Sequence, residues 1–120
     1  MQVIIFDDAQ QVATNAAEWV AELINKKPES VLGLATGSTP ISLYKQLVNK
    51  YQAGQLSFKN TTSFNLDEYL CINANNAQSY RHFMNENLFD HVDIDKSRTF
   101  LPTCAQGENP RIQGLAYEKK

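Results

Sequence analysis

The stretch Val31–Leu47, VLGLATGSTPISLYKQL, decides the fold of this chain. Its apolar start, Val31–Ala35, has the length and composition of a buried strand. A loop of small, mostly hydroxylated residues follows, and Pro40 then fits the first position of a helix with Thr39 as its cap. The stretch therefore predicts a strand that leads through a polar loop directly into a helix.

Working outward, apolar runs and helical spacings alternate along the whole chain. This alternation predicts an α/β fold of the order β-α-β-α-β-α-β-α, in which helices flank a parallel sheet as in Rossmann-like, three-layer α/β/α architectures. The predicted strands are Val3–Phe6, Val31–Ala35, Thr61–Leu66 and Arg98–Leu101.

The helical segments are predicted from apolar residues at helical spacing and from their end signals. Gly54 should end the second helix, and Asn109 with Pro110 should begin the last one. The predicted buried faces are Val12, Ala16, Trp19, Val20, Leu23 and Ile24, then Ile41, Tyr44, Leu47, Val48 and Tyr51, then Tyr80, Phe83, Met84 and Leu88 within 78–89, and finally Ile112, Leu115 and Ala116.

Composition excludes several function classes. The 120 residues carry a net charge of −2, and no basic cluster is present to neutralise the phosphates of a nucleic acid. No apolar run is long enough to span a membrane, and the N-terminal stretch, interrupted by Asp7 and Asp8, does not resemble a signal peptide. Cys71 and Cys104 have neither CxxC nor metal-ligand spacing, so we expect two reduced thiols in a cytoplasmic protein. The chain ends within a helical pattern, so we expect it to be the first part of a longer domain.

The loop Thr36–Thr39 is the first candidate site. Ligands of open α/β sheets lie beyond the carboxyl ends of the strands, and a helix N-terminus there offers unpaired backbone N–H groups to an anion. Gly37 permits a positive φ and a close backbone approach, while Ser38 and the threonines add hydroxyl donors. The pattern suits a phosphate monoester, and it is equally typical of a tight turn before a capped helix. It matches neither GxxxxGK[ST] nor GxGxxG, so ATP and dinucleotides are not predicted.

A second candidate follows the third predicted strand, in SFNLDEYL (63–70). Asp67 and Glu68 are adjacent and would point to opposite sides of extended chain, so only one of them can face a pocket. Asp67 lies at the same sheet edge as the polar loop, where a carboxylate could move protons on carbon. A surface carboxylate or a helix cap is the structural alternative.

Taken together, LGLATGSTPISLYKQL, SFNLDEYL and QSYRHFM resemble the glucosamine-6-phosphate deaminase family. The resemblance runs through the whole chain, including HVDID and GLAYE. The related 6-phosphogluconolactonases typically have Asp-Glu-Arg where this chain has Asp67-Glu68-Tyr69, which favours the deaminase. Where the family usually has glycine, two residues after this tripeptide, the chain has Cys71.

The resemblance implies roles for individual residues. Thr36, Gly37, Ser38 and Thr39 correspond to the phosphate-binding loop. Asp67 corresponds to the proton acceptor that enolises the open-chain amino sugar, and Glu68 and Tyr80 correspond to substrate-binding residues. No metal or organic cofactor is implied.

The resemblance also implies a partner and a missing half. The partner is a small sugar phosphate, with no nucleic acid or membrane, and a homo-oligomer is left open. The ring-opening histidine, the lid and further basic residues would lie beyond Lys120, so we expect the 120 residues alone to bind weakly, not to deaminate, and to self-associate through an exposed sheet edge. A lactonase-like hydrolase and a non-catalytic sugar-phosphate sensor remain the alternative functions.

Overall fold

A computed structural model describes residues 1–104 and 106–120 of the chain. Within those ranges, three short strands alternate with four α-helices, and two short 3₁₀ turns precede the last strand. The elements are α1 (Ala9–Lys26), β1 (Val31–Leu34), α2 (Ile41–Gln52), β2 (Thr62–Asn65), α3 (Tyr80–Asn87), the 3₁₀ turns Phe89–His91 and Lys96–Arg98, β3 (Thr99–Phe100) and α4 (Pro110–Glu118).

The three strands form one parallel sheet in the order β1-β2-β3, which confirms the predicted α/β class. Leu34 of β1 pairs with Asn65 of β2, and Phe64 of β2 pairs with Phe100 of β3. Because parallel strands share a direction, every loop that follows a strand leaves from the same edge of the sheet.

The hydrophobic core lies between one face of the sheet and helices α1, α2 and α3. Leu32 supplies the sheet side of this core, and α2 supplies Tyr44 and Leu47, each only 1% exposed. Further buried members come from α1, from α3 and from the loops: Ala17, Ala21, Ile24, Leu56, Phe58, Met84, Leu88, Phe89, Ile94 and Leu101.

The opposite face of the sheet is covered by α4. Phe64 stacks on Phe100 with ring centroids 4.9 Å apart, and Tyr117 packs edge-on against Phe64 at 6.1 Å. Alternate residues of a strand point to opposite faces, so Phe64 lies on the face opposite the buried Ser63. Helices therefore lie on both sides of the sheet, as predicted.

The predicted first strand, Val3–Phe6, is wrong. The segment makes no sheet pairing, and Val3 and Ile5 are 70% and 90% exposed. It lies along α1 near Val12 and Trp19. Val31 of β1 is also 64% exposed, so the predicted buried strand is buried on one face only.

The predicted inner faces of α1 and α4 are also partly wrong. In α1 the buried stripe is Ala13, Ala17, Ala21 and Ile24, whereas Val12, Trp19 and Leu23 are about half exposed. Alanine side chains are small, so α1 packs closely on α2 through its alanine stripe. The larger apolar residues of α1 then lie beside this contact, where they are partly exposed. In α4, Ile112 and Leu115 are exposed, because the ring and hydroxyl of Tyr117 set the face that meets the sheet.

The boundaries of α2 and α3 follow their end signals. Gly54 ends α2 as predicted: it has φ +73°, its N–H binds Tyr51 O at 2.9 Å, and the next N–H, of Gln55, reaches back to Lys50 O. The third predicted helix, 78–89, is shorter in the structure, and its last residues form the 3₁₀ turn. None of the helices in the described ranges has the length and apolarity needed to cross a bilayer.

We expect Gly54→Ala to lower the free energy of unfolding by about 1 kcal/mol, because a Cβ is disfavoured at a positive φ while the surrounding space is open. Gly114→Ala is the matched control. It lies inside α4, also in open space, and should raise the free energy of unfolding by roughly 0.5–1 kcal/mol. Urea unfolding measures both; equal effects of the two substitutions would contradict the assignment of Gly54 as a helix stop.

Candidate functional site

The parallel register brings the two candidate loops to one edge of the sheet. Leu34 and Asn65 form the last pair of β1 and β2, Thr36 stands two residues beyond the first, and Asp67 stands two residues beyond the second. Neighbouring strands lie about 4.8 Å apart. The loop 36–39 and the Asp67 carboxylate therefore leave the sheet from adjacent positions at the same edge.

The loop between β1 and α2 presents its backbone outward. Gly37 has φ +97°, which confirms the predicted left-handed glycine, and Gly37, Ser38 and Thr39 are exposed while Thr36 is half-buried. The predicted capping role of Thr39 is wrong. Pro40 occupies the cap position with φ −81° and makes no side-chain cap, because a tight turn from Ser38 O to Ile41 N (3.4 Å) precedes the helix.

The N-terminus of α2 differs from those of the other described helices. Asp8 caps α1, Ser79 caps α3 and Asn109 caps α4, each through a side-chain oxygen that accepts a backbone N–H. At α2 no side-chain oxygen does this. The first turn of α2 therefore keeps outward N–H groups and the positive end of its dipole available to an anion.

Tyr44 fixes the start of this loop from inside the core. Its hydroxyl donates to Ala35 O at 2.5 Å and accepts from Ala35 N at 3.1 Å, so both backbone groups of the residue after β1 are held by one side chain. Burial raises the pKa of Tyr44 to about 12, with the hydrogen bond to Ala35 acting in the opposite direction. Tyr44 is therefore a neutral, fixed anchor at ordinary pH.

Two further polar groups tie the strand ends together. The Asn65 side chain, 1% exposed, donates from Nδ2 to Leu34 O at 2.9 Å and so links β2 to β1. The Tyr117 hydroxyl donates to Asn65 O at 2.6 Å and lies 3.2 Å from Phe100 O. These contacts hold the edge from which the candidate loops leave.

The adjacent carboxylates Asp67 and Glu68 have different surroundings. Asp67 is exposed, whereas Glu68 is half-buried and both of its oxygens are occupied. One Glu68 oxygen accepts the N–H groups of Tyr69 and Tyr80, and the other accepts that of Arg81, each at 2.9 Å. Glu68 therefore caps α3 together with Ser79, and Asp67 is the carboxylate of the pair that faces solvent.

Tyr80 begins α3 next to both carboxylates. Its ring lies against Tyr69, with centroids 4.7 Å apart. A hydrogen bond with Tyr69 raises the pKa of Tyr80, and burial and the charges of Asp67 and Glu68 raise it further. Tyr80 is thus a neutral hydroxyl beside Asp67, and the structure brings together the three residues predicted for this side of the site.

A groove of about 400 Å³ lies between α1 and the loop, and Thr36 and Thr39 of the loop are part of its lining. Val12, Ala16, Ala35, Pro40 and Leu43 make its lining mostly apolar, and Asp67 is not part of it. The loop therefore borders a mostly apolar groove, and the first turn of α2 remains the candidate anion site. Within the described residues, no cluster of three His, Cys, Asp or Glu side chains could hold a metal ion.

Sequence reasoning missed Tyr44, Asn65 and Tyr117 as supports of the site. A signal for Tyr44 was available, because a tyrosine on an otherwise apolar helix face must find a partner for its hydroxyl when it is buried. Asn65 stood in a predicted buried strand, where an amide also needs a partner. Neither signal identifies the partner atom.

Comparison with known proteins places this geometry in a family. A sequence model described as glucosamine-6-phosphate isomerases/6-phosphogluconolactonase matches residues 7–120. The chain belongs to this family. It is 82% identical over 120 residues to a glucosamine-6-phosphate deaminase of Colwellia psychrerythraea and 55% identical to one of Pseudoalteromonas translucida; all of this chain is aligned, with 45% of each relative.

Solved structures of family members show the same fold. A monomeric glucosamine-6-phosphate deaminase superposes with a TM-score of 0.93 at 37% identity, over 99% of this chain and 49% of that one. A 6-phosphogluconolactonase from Thermotoga maritima superposes with a TM-score of 0.72 at 17% identity, over 98% and 51% of the two chains. The chain thus spans about half the length of the family members that it matches.

We expect Tyr44→Phe to lower the free energy of unfolding by about 1–2 kcal/mol, because it removes both hydrogen bonds to Ala35 and keeps the ring. Tyr51→Phe on the same helix, at a partly exposed position, should change that free energy by less than about 0.5 kcal/mol. Urea unfolding at neutral pH compares the two variants. A loss no larger in Tyr44→Phe than in Tyr51→Phe would contradict the anchoring role.

The raised pKa of Tyr44 also predicts a pH dependence. The folded state holds the proton up to about 12, against 10.0 for an ordinary tyrosine, so this contribution to stability is complete below pH 10 and is lost as the pH rises towards 12. The free energy of unfolding should fall more steeply across this range in the natural protein than in Tyr44→Phe. Tyr80 and Tyr117, whose pKa values are also raised, are common to both proteins. Parallel pH profiles would contradict the prediction.

Proposed function

We propose that the full-length protein is a glucosamine-6-phosphate deaminase. It would convert glucosamine 6-phosphate and water to fructose 6-phosphate and ammonia by aldose–ketose isomerisation and deamination. One observation carries the proposal: an uncapped helix N-terminus and an exposed carboxylate, Asp67, leave adjacent parallel strands at the same edge of the sheet. The names of the relatives, at 82% and 55% identity, support the same activity.

The phosphate group would bind at the loop 36–39. The first turn of α2 offers backbone N–H groups and a favourable dipole, Gly37 leaves room for close approach, and Ser38 and Thr39 are exposed hydroxyl donors. A phosphate oxygen would then supply the acceptor that the other described helices obtain from Asp8, Ser79 and Asn109. This accounts for anion binding by a chain of net charge −2.

Asp67 would act as the base that moves the proton. With the phosphate at the loop, the far end of an open-chain hexose phosphate extends along the sheet edge towards the end of β2. Asp67 would take the proton from carbon two and return it to carbon one, which converts the amino aldose into the 2-imine of the ketose. Ammonia then leaves from carbon two as water enters, so the net reaction is hydrolytic and places the enzyme among hydrolases. No metal or cofactor takes part in this scheme.

Glu68 and Tyr80 would support Asp67. By accepting three backbone N–H groups, Glu68 holds the segment 67–69 against the first turn of α3. This leaves Asp67 as the carboxylate of the pair that is available to substrate. Tyr80 would place its hydroxyl beside the sugar, where Asp67 already acts on its pKa. We therefore assign Glu68 a positioning role and Tyr80 a binding role.

Residues 1–120 would form the N-terminal part of a single sugar-phosphate isomerase/deaminase domain. The remaining part would supply the ring-opening histidine and further phosphate ligands, so the 120 residues alone should not deaminate. We propose a small sugar phosphate as the partner and the cytoplasm as the location. A 6-phosphogluconolactonase activity is the alternative within the family, and Tyr69 in place of the arginine typical of lactonases argues against it.

The decisive test is Asp67→Asn in the full-length protein. We expect kcat for ammonia release to fall by about 10²–10⁴-fold, because the amide cannot accept the proton, while KM changes little because the phosphate loop is untouched. Ammonia and fructose 6-phosphate are measured together against glucosamine 6-phosphate.

Asp90→Asn is the matched control, because Asp90 is an exposed aspartate that lies beyond the C-terminal end of α3 and pairs with Lys96. It should leave both kcat and KM within about twofold of the natural protein, as for an exposed position away from the site. Undiminished turnover in Asp67→Asn would end the deaminase assignment, and hydrolysis of 6-phosphogluconolactone by the same sample would favour the alternative.

A further inference from the structure

The two cysteines, which lack CxxC spacing and are predicted to be reduced thiols, are neighbours in the structure. The backbone N–H of Cys71 donates to the carbonyl oxygen of Cys104 at 3.1 Å. Paired residues of neighbouring hydrogen-bonded strands have Cα atoms about 4.5–5.5 Å apart. Disulfide bridges span about 4.4–6.8 Å between Cα atoms, so the backbone spacing already suits a bridge.

The two thiols stand on two loops that leave the sheet at the same edge as the candidate site. Cys71 follows Asp67, Glu68 and Tyr69 in the β2–α3 loop, and Cys104 stands in the β3–α4 loop. A groove of about 290 Å³ separates these loops, and Glu68, Tyr69 and Cys104 all contribute to its wall.

The backbone of Cys71 is unusual. Its φ of +57° makes it the one non-glycine residue in the described part of the chain with a positive φ. This conformation is disfavoured for a residue with a Cβ, and its persistence calls for a reason at that position. Here it presents an exposed thiol next to the half-buried Cys104.

We propose that Cys71 and Cys104 form a reversible disulfide that joins the Asp67 loop to the β3–α4 loop when the protein meets a hydroperoxide. This inference goes beyond the proposed function. The experiments that test it detect the bond itself and do not depend on enzymatic activity.

The chemistry balances with the peroxide as oxidant. The sulfur of the exposed Cys71 attacks a peroxide oxygen, the O–O bond breaks, and Cys71 becomes a sulfenic acid while one water leaves. The Cys104 sulfur then attacks the Cys71 sulfur, the S–O bond breaks, and a second water carries away the Cys104 proton. The two thiols lose two hydrogens in all, and hydrogen peroxide is reduced to two waters.

The surroundings of the thiols set this order. Burial raises the pKa of Cys104, and the neighbouring Cys71 and Glu108 raise it further, so Cys104 remains a thiol at ordinary pH. Its thiol donates to Glu108 O at 3.7 Å. Cys71 is exposed and meets the oxidant first.

Peptide mapping of the full-length protein tests the bond. After treatment with hydrogen peroxide and alkylation, trypsin should release peptides 60–81 and 99–111 joined, with a mass two hydrogens below their sum, and dithiothreitol should separate them. Cys71→Gly, which suits the positive φ, and Cys104→Ser are the matched variants, and each should leave the remaining cysteine unjoined. Recovery of both peptides only as separate oxidised species from the natural protein would overturn the proposal.

A redox titration tests whether the fold promotes the bond. The protein is equilibrated in glutathione buffers of different redox ratio, and the fraction of disulfide-joined peptides is measured. The equilibrium constant gives the effective concentration of the Cys71 thiol with respect to the Cys104 thiol. This concentration should be at least about tenfold higher in the folded protein than in urea, where only the flexible chain connects the thiols. Equal values in both states would show that the contact between the two loops contributes nothing, and would also overturn the proposal.

Discussion

The parallel pairing of β1 with β2 is the constraint on which the candidate site depends. Because the strands run in the same direction, the residues that follow Leu34 and those that follow Asn65 emerge together. An antiparallel pairing would place the same residues at opposite edges, and neither loop would have a partner. The Asn65 side chain strengthens this pairing at its last position, where it donates to Leu34 O. The link from sequence to function therefore passes through the register of two four-residue strands.

The helix N-termini differ in whether a side-chain oxygen caps them. Oxygen-bearing side chains of the chain itself cap α1, α3 and α4, and α3 receives two of them, Ser79 and Glu68. Only α2, among the described helices, begins without such a cap. The neighbouring carboxylates show the same division: Glu68 is fully engaged with backbone N–H groups, whereas Asp67 is exposed. Of these two adjacent acidic residues, one is therefore used in the structure and the other is left open to solvent.

Local signals in the sequence predicted those parts of the fold that local chemistry determines. The strand–loop–helix unit around Gly37, the stop at Gly54 and the start of α4 at Asn109 all follow from short patterns, and the structure confirms them. The rest depends on tertiary partners. The apolar run Val3–Phe6 has the composition of a strand but does not join the sheet. The inner face of α1 is set by how closely alanines approach α2, and apolar spacing alone cannot distinguish one stripe from the next.

Local sequence patterns also do not predict the long-range contacts at the site. The alternation of elements placed Asp67 and the polar loop at one edge, yet the capping bonds of Glu68 join residues 12 and 13 positions apart. The approach of Cys71 to Cys104 likewise needs the register of β2 with β3.

Tyr44 shows why such contacts matter. It stands in the second turn of the helix that the loop begins, and its hydroxyl returns to Ala35 at the start of that loop. The loop is thereby fixed at both ends to one rigid helix, and its only left-handed residue, Gly37, lies between the two fixed points. An anion that binds there meets N–H groups whose positions are already set by the core, so little conformational entropy remains to be lost on binding.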